Sequence, residues 1–463
     1  MAPKPVELST TLRDLYNEDG GKADDVALVY GIPVAASAAC PAATKYAYQS
    51  PYGMTNKVGP ETQARFVLGC LMQLHGFVAG PMELHLFDVG GLSKVDRAYA
   101  LLTWSSETER PHRVDARRVF ERLGEDQRPD LRWVEKAEDV LQVAKRKRLA
   151  VTSPMDFLDA NGHGANTLVD QDTHWDMLSK QTLAKSGLPT PPTKVVASAS
   201  AEPSVSQDDE AGIISGMLNA VEVQPLPFVF KLPYGYGGQA VQVIKDEAMR
   251  QKCLTMLRTR LPALLPTCLL LQDVMPGNSV AISIFVTITG RAIFISASEE
   301  VHDPKSGSWS GGIMDYSRHD VLAAQYKDIV QQASDYVFQR GFHGPMGIDV
   351  MTDDAGKQYV IDLNVRQIGS YTLGLLKKHF WENHNLAWAG LLCPVPILGT
   401  RDSFEGKFAS EIESGSLIIV SWCHGKWAGG LITYSAAGVV VGAKTRDDLL
   451  ELMGRVNACA IKY

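Results

Sequence analysis

The sequence predicts a mixed α/β and α+β protein: an N-terminal open α/β sheet, an α+β region in the middle of the chain, and a small α+β module at the C-terminus. Three observations lead to this. Up to about residue 165, short apolar runs closed by Gly or Pro alternate with stretches of helical spacing, the pattern of mostly parallel strands joined by helices. Between 227 and 286, two pairs of β-rich runs each flank a glycine-bearing turn or linker. Between 347 and 366, two further β-rich runs enclose the polar turn Thr-Asp-Asp-Ala-Gly-Lys, which reads as an antiparallel hairpin.

The 463 residues, 45% hydrophobic, suffice for two to four domains with real cores. Basic residues number 45 and acidic ones 52, a net charge of −7 with no sustained basic block, so neither nucleic acid nor an anionic membrane is an expected partner. Cys40, Cys70, Cys253, Cys268, Cys393, Cys423 and Cys459 form no C-x-x-C pair and read as buried thiols of a reducing compartment. The N-terminus lacks the basic-then-apolar layout of a secretory signal. The most apolar stretch, Phe66 to Val89, is interrupted by His75, Gly80, Pro81, Glu83 and His85, too often for a membrane helix. A soluble cytoplasmic protein is the expectation.

In chain order, residues 1 to about 25 read as a polar, loosely attached leader. A buried strand begins at Val26, a helix spans about Glu61 to His75, and a second strand runs from Met82 to Val89. Ala98 to Trp104 is another apolar run, Val134 to Arg148 has helical spacing, and Val151 begins a last short strand. No G-x-G-x-x-G occurs in this part, which argues against a dinucleotide site. One helix is expected from Asp172 to Lys185, stopped by Gly187 and Pro189, and a flexible loop over 198 to 211. A strand from Arg291 to Ala297 leads into a Gly/Ser-rich loop through Arg318 that contains Trp309 and reads equally as an acceptor-binding or closing loop and as an ordinary long connection. Helices are expected from Gln325 to Arg340, Leu373 to His379 and Thr445 to Asn457, with β character after Gly415. Cys423 beside His424 in that β stretch reads as structural rather than catalytic.

The hairpin carries the chemistry. Asp349 lies near the end of its first run, and Asp362 and Asn364 alternate onto one face of the second. Two carboxylates and an amide oxygen can therefore converge, a hard-oxygen set suited to Mg²⁺ that is also held by substrate phosphates. Arg366, on the same side, offers a fork of donors for a carboxylate or phosphate. Upstream, Lys231 ends a β run before a loop containing Gly235, Gly237, Gly238 and Gln239; glycines let backbone N–H groups approach a polyphosphate, and the lysine adds a point charge. In Gln272-Asp273-Val274-Met275, followed by Pro276, Gly277, Asn278 and Ser279, a buried strand enters a short linker able to present main-chain groups to an adenine edge.

These three ordered motifs resemble the ATP-grasp superfamily over about residues 170 to 380. The hairpin is similar to its metal-binding motif, with Asp362 where Glu is usual and Val365 where Pro is common. The resemblance implies Asp349, Asp362 and Asn364 as Mg²⁺ ligands, and Arg366, Lys231 and Asn364 as catalytic. It implies an ATP site formed by Lys180, Lys231, Gly235, Gly237, Gly238, Gln239, Gln272, Asp273, Val274, Met275 and Ser279, with Asp273 and Met275 using main-chain groups. Asp176 stands where a basic residue commonly meets the phosphates, leaving Lys180 as the candidate; Ser279 stands where an acid usually holds the ribose. The turn Gln367 to Thr372 resembles the one that follows the metal motif and often meets the acyl-phosphate.

The implied architecture is an N-terminal domain over 1–170, an ATP-grasp fold in two α+β subdomains over 171–246 and 247–393, and a C-terminal module over 394–463 that is similar to that of some peptide ligases. The implied reaction activates a small acid, such as an amino acid of specialised metabolism, as an acyl-phosphate and joins it to an amine. The alternatives are a ligase or kinase making another bond, and a non-catalytic ATP-binding module, which the departures at Asp176 and Ser279 favour. Small-molecule acid and amine substrates are the implied partners, and homodimers are common for the fold.

Overall fold

The computed structural model describes residues 4–31, 35–36, 45–49, 69–87, 111–134, 137–159, 166–197, 207–235, 237–238, 240–264, 268–303, 309–427 and 432–461. Three principal sheets organise them. The first is fully parallel, in the spatial order Asp130–Val134, Glu83–Phe87, Val26–Tyr30, Arg148–Val151. All five residues of Val26–Tyr30 are buried, as a central strand covered on both faces requires. Helical residues 69–76 and the helices Pro111–Phe120 and Ala137–Ala144 flank it in sequence.

The second sheet is antiparallel, in the order Thr193–Ala197, Cys268–Asp273, Phe228–Lys231, Val241–Ile244. Alternation turns Phe228, Phe230, Leu269 and Leu271 towards the helices Gln207–Val223 and Glu247–Leu264, where they pack with Met217, Val221, Cys253, Leu254 and Leu257. The third sheet has eight antiparallel strands, in the order Gln358–Asn364, Gly344–Thr352, Asn278–Val286, Ala292–His302, Trp309–Asp315, Trp388–Leu398, Ile432–Ala443, Leu417–Trp427. Residues 274–277 carry the chain from the second sheet to the third, so the expected strand–linker–strand unit joins two bodies.

The expected class, an open parallel sheet followed by α+β units, is what the chain adopts. Several local expectations change. The leader is instead a structural wedge: Val6, Leu8, Leu12, Leu15 and Tyr16 are buried, and Leu12–Asn17 is a helix with Thr11 and Asp14 in a capping box. Its far end is locked to the third sheet, where Asp19 accepts hydrogen bonds from Thr287, Thr289 and Arg291. Apolar residues spaced singly among polar ones hid this core contribution, although Thr-x-x-Asp was a readable helix start.

The helix expected over Val134 to Arg148 is confined to Ala137–Ala144, with a strand ending at Val134 and another beginning at Arg148. The helix expected over Asp172 to Lys185 is two, Gln171–Met177 and Lys180–Ala184. Ser179 turns extended between them, and the Lys180 N–H leaves the helical ladder to donate to Pro233 O at 2.9 Å. The helix expected over Gln325 to Arg340 forms as Lys327–Phe338, and a separate short helix, His319–Gln325, precedes it.

Much of the expected Gly/Ser-rich loop is strand, up to His302 and again from Trp309. Gly311 serves close strand packing there, since a Cβ would lie 1.9 Å from Leu391 O. The expected boundary at 393/394 falls inside Trp388–Leu398, where a register shift between Leu392 and Val395 accommodates Pro394, and the C-terminal strands extend the third sheet. The expected boundary at 246/247 separates Cys268–Asp273 from the sheet it completes. Ala98 to Trp104 and Gln239 lie outside the described residues. Cys70, Cys253, Cys268, Cys393 and Cys423 are buried. Among the described residues no helix is long and apolar enough to cross a membrane.

Candidate active site

The hairpin forms as expected, from Gly344–Thr352 and Gln358–Asn364. Asp353 closes its turn by accepting from the N–H groups of Ala355 and Lys357, and Gly356 supplies the left-handed residue at φ 81°. The register sets Asp349 directly opposite Asp362, with a bulge immediately after. Opposed residues of an antiparallel pair carry their side chains on one face about 5 Å apart, a position at which two like charges repel. A fold tolerates this where something else supplies positive charge.

Two lysines do so from outside the hairpin. Lys180 Nζ donates to both carboxylate oxygens of Asp362, at 2.8 and 2.8 Å. Lys231, at the end of its strand in the second sheet, donates to Ile361 O at 2.7 Å. Asn364 Nδ2 reaches Asp349 Oδ2 at 3.4 Å, while its Oδ1 accepts from Arg366 Nη2 at 3.1 Å. Asp349, Asp362, Asn364, Arg366, Lys180 and Lys231 thus form one connected cluster between the two antiparallel sheets.

The electrostatics separate the two acids. The Asp349 carboxyl is pushed well above its usual range by burial and by the charges of Glu300 and Asp362. Burial pushes Asp362 the same way, but Lys180 and Lys231 outweigh it and hold that carboxyl below its usual range. Burial lowers the Lys231 ammonium to about 8. Behind Arg366, His75 and His174 are kept neutral, lowered to about 3 and about 4 by burial and by the guanidinium.

Hard oxygens crowded until one carboxyl resists ionisation suit a small dication. Among the described residues no group of three or more His, Cys, Asp or Glu is arranged to hold a metal ion. A dication placed at Asp349, Asp362 and Asn364 would therefore complete its shell with ligands from outside the chain, as Mg²⁺ does with substrate phosphates.

The glycine loop is anchored at both ends. Tyr234 exchanges two bonds with Gln49, N–H to Oε1 at 3.2 Å and O from N–H at 2.8 Å, and the Trp309 N–H donates to Gly237 O at 3.3 Å. Gly237 and Gly238 are left-handed, at φ 61° and 79°, and a Cβ on Gly235 would lie 2.6 Å from that of Ala240. In the linker region, Gln272 Nε2 is committed to Thr193 Oγ1 at 2.8 Å and the Asp273 N–H to Pro192 O at 3.0 Å, so neither group faces a ligand. Val274 is exposed, Met275 half-buried, and Ser279 pairs with Met351. Asp176 accepts from the Thr182 hydroxyl and lies outside the cluster's bonds.

The sequence reading missed Glu300 as a neighbour of Asp349; its place on the strand Ala292–His302 emerges only from strand order. It also missed the coupling to the first sheet. Gln367 donates to His75 O and accepts from the Tyr30 hydroxyl, so the chain beyond Arg366 docks at the carboxyl end of Val26–Tyr30. Open parallel sheets present ligands at such strand ends.

No family model matches the chain. A curated relative, the [butirosin acyl-carrier protein]–L-glutamate ligase of Niallia circulans, is 28% identical over 140 residues, which span 30% of this chain and 32% of the relative. Among solved structures, phosphoribosylamine–glycine ligase of Thermotoga maritima aligns over 94% of this chain and 97% of its own, with 9% identity and a TM-score of 0.49. An ADP complex of N5-carboxyaminoimidazole ribonucleotide synthetase aligns over 98% of both chains, with 11% identity and a TM-score of 0.48. The biotin carboxylase–βγ-ATP complex of Campylobacter jejuni aligns over 86% of this chain and 89% of its own, at 11% and 0.46.

Proposed function

We propose that the protein is an ATP-dependent ligase that activates a carboxylic acid as an acyl-phosphate and joins it to an amine, with an amino acid among its substrates. The observation that carries this reading is the cluster itself: two acids, an amide and an arginine from the third-sheet hairpin meet Lys180 and the second-sheet Lys231 beside a glycine loop.

The attacking carboxylate and the polyphosphate are both anions, and neutralising them is the main task of such a site. Mg²⁺ bound at Asp349, Asp362 and Asn364 would screen phosphate charge. Lys231 and Lys180 add two ammonium groups from outside the hairpin. Arg366, only 8% exposed and braced by Asn364, would orient the transferring phosphoryl or the acid. The glycine loop lays backbone N–H groups over the phosphates, and residues 274–275 of the linker pass the adenine. Displacement of phosphate by the amine then closes the amide bond. The buried thiols agree with a cytoplasmic setting.

The test is product formation. Purified protein with ATP, Mg²⁺ and a panel of amino acids is expected to release ADP and phosphate together with a product of amide mass, and Asp362→Ala and Asn364→Ala are expected to abolish both. Because the curated relative's name couples L-glutamate with an acyl-carrier protein, L-glutamate heads the panel and a carrier-protein thiol is included among the acceptors. Tight ATP binding with no turnover on any acid would instead identify a non-catalytic nucleotide-binding module.

A further inference from the structure

We propose that Lys180 is a built-in counter-ion that closes Asp362 to a free divalent cation until a bound polyphosphate draws its ammonium away. This rests on the ligase reading above, since it takes Asp362 as a ligand to the dication.

Lys180 Nζ straddles the Asp362 carboxylate, with both contacts at 2.8 Å, and its side chain is only 6% exposed against 23% for Asp362. That is the geometry of a committed ion pair, not of a solvated lysine that happens to pass nearby. A dication approaching the same two oxygens would meet a positive charge already seated there. Ion pairs in such partly desolvated surroundings are screened far less than those in open water.

The backbone gives the ammonium a second place to go. Lys180 is the first residue of its short helix, and its N–H is bonded to Pro233 O, two residues before Gly235. Its Cα is therefore held beside the start of the glycine loop, and the flexible side chain can move from the carboxylate towards a polyphosphate on that loop by rotamer changes alone. Lys231 differs in that its ammonium donates to a neutral acceptor, Ile361 O, so it makes no hydrogen bond to the Asp362 carboxylate among the described contacts.

One cation with two anionic partners couples their ligands. Nucleotide withdraws Lys180 and opens Asp362; metal at Asp362 expels Lys180 towards the nucleotide. Linkage requires the two effects to be equal in size.

The experiment is titration of Mn²⁺ into the full chain, followed by electron paramagnetic resonance of the unbound ion, with and without a non-hydrolysable ATP analogue. Lys180→Met removes the charge at similar length. Lys180→Gln also removes it, but keeps a donor to the carboxylate and serves if the methionine variant fails to fold. Wild type is expected to bind Mn²⁺ alone weakly, and either variant to bind it about tenfold more tightly, with the gain from the analogue largely lost. If both folded variants bind Mn²⁺ alone no more tightly than wild type, while wild type binds it with the analogue, the counter-ion role is wrong and the ligase reading stands. If wild type binds no Mn²⁺ even with the analogue, the assignment of Asp362 as a ligand falls, and this inference with it.

Discussion

The indole of Trp175 lies flat against the ring of Tyr234, with centroids 4.2 Å apart and planes 8° apart. Tyr46 and Tyr48 meet the same indole in T-shaped contacts at 5.7 and 5.1 Å. Tyr234 immediately precedes Gly235, so this stack anchors the glycine loop to the helix Gln171–Met177. Replacing Trp175 with Ala is expected to weaken nucleotide binding about tenfold and to lower stability by about 1–3 kcal/mol, the cost of a lost half-buried aromatic contact. Trp175→Phe should retain most of both. Calorimetry with an ATP analogue and urea denaturation measure the two effects.

If Lys231 meets nucleotide phosphate as proposed, nucleotide binding is expected to depend on pH. Burial lowers its ammonium to about 8, so the charge that would attract phosphate is lost as pH rises through that value. Nucleotide affinity should fall above it, approaching about tenfold per pH unit, and bound phosphate should restore the proton. Binding in mild alkali is thus expected to take up a proton, seen as a dependence of binding heat on the ionisation enthalpy of the buffer. Lys231→Met should bind weakly at every pH and show no such dependence. For folding the sign reverses: because its folded value is depressed, Lys231's contribution to stability is lost as pH falls through about 8.

Asp349 sets function against stability. Its carboxyl is raised by burial and by two neighbouring acids, so its contribution to stability is present at low pH and is lost as pH rises through the raised value. Asp349→Asn removes that penalty with almost no change of shape. The variant should melt at a higher temperature than wild type in neutral buffer without metal, and the gain should vanish below the ordinary carboxylate range. Turnover should drop by roughly two orders of magnitude or more, the scale of losing a preorganised electrostatic group. Melting curves across pH, paired with an ADP-release assay, give both numbers.

Gly277, where the linker enters the third sheet, has no room for a side chain. Its φ is 130°, and a Cβ would lie 2.0 Å from Thr352 O, a backbone atom that cannot turn aside. Gly277→Ala should cost about 1–3 kcal/mol through strain alone and more through the clash. Since the same residues join the second and third sheets, nucleotide affinity should fall with it. Gly356→Ala, at a left-handed position with open space around the missing Cβ, is the control that shows backbone strain without the clash.

Local chemistry made much of this site legible before any fold was in view. Alternation alone put Asp362 and Asn364 on one face, and a polar turn between β-rich runs announced the hairpin that carries them. The glycine loop and the Thr445 helix start were equally plain, because both depend on residues adjacent in the chain. Where the reading failed, neighbours from far along the chain intervened. Helix-compatible residues at 178–179 were broken by a bond from Lys180 to Pro233, the leader became core because Val78, Ala79, Arg122 and Gln127, together with Phe285 of the third sheet, supplied its partners, and Pro394 sat within a strand because a bulge absorbed it.

The sequence by itself determined the hairpin and which of its side chains share a face, because residue type and alternation along a strand are properties of a few consecutive positions. Tertiary structure alone decided that Lys180 pairs with Asp362, that the charge of Glu300 bears on Asp349, and that Gln367 bonds to Tyr30. Each of these joins residues on different elements, and such contacts are set by sheet order and packing, which no local pattern encodes.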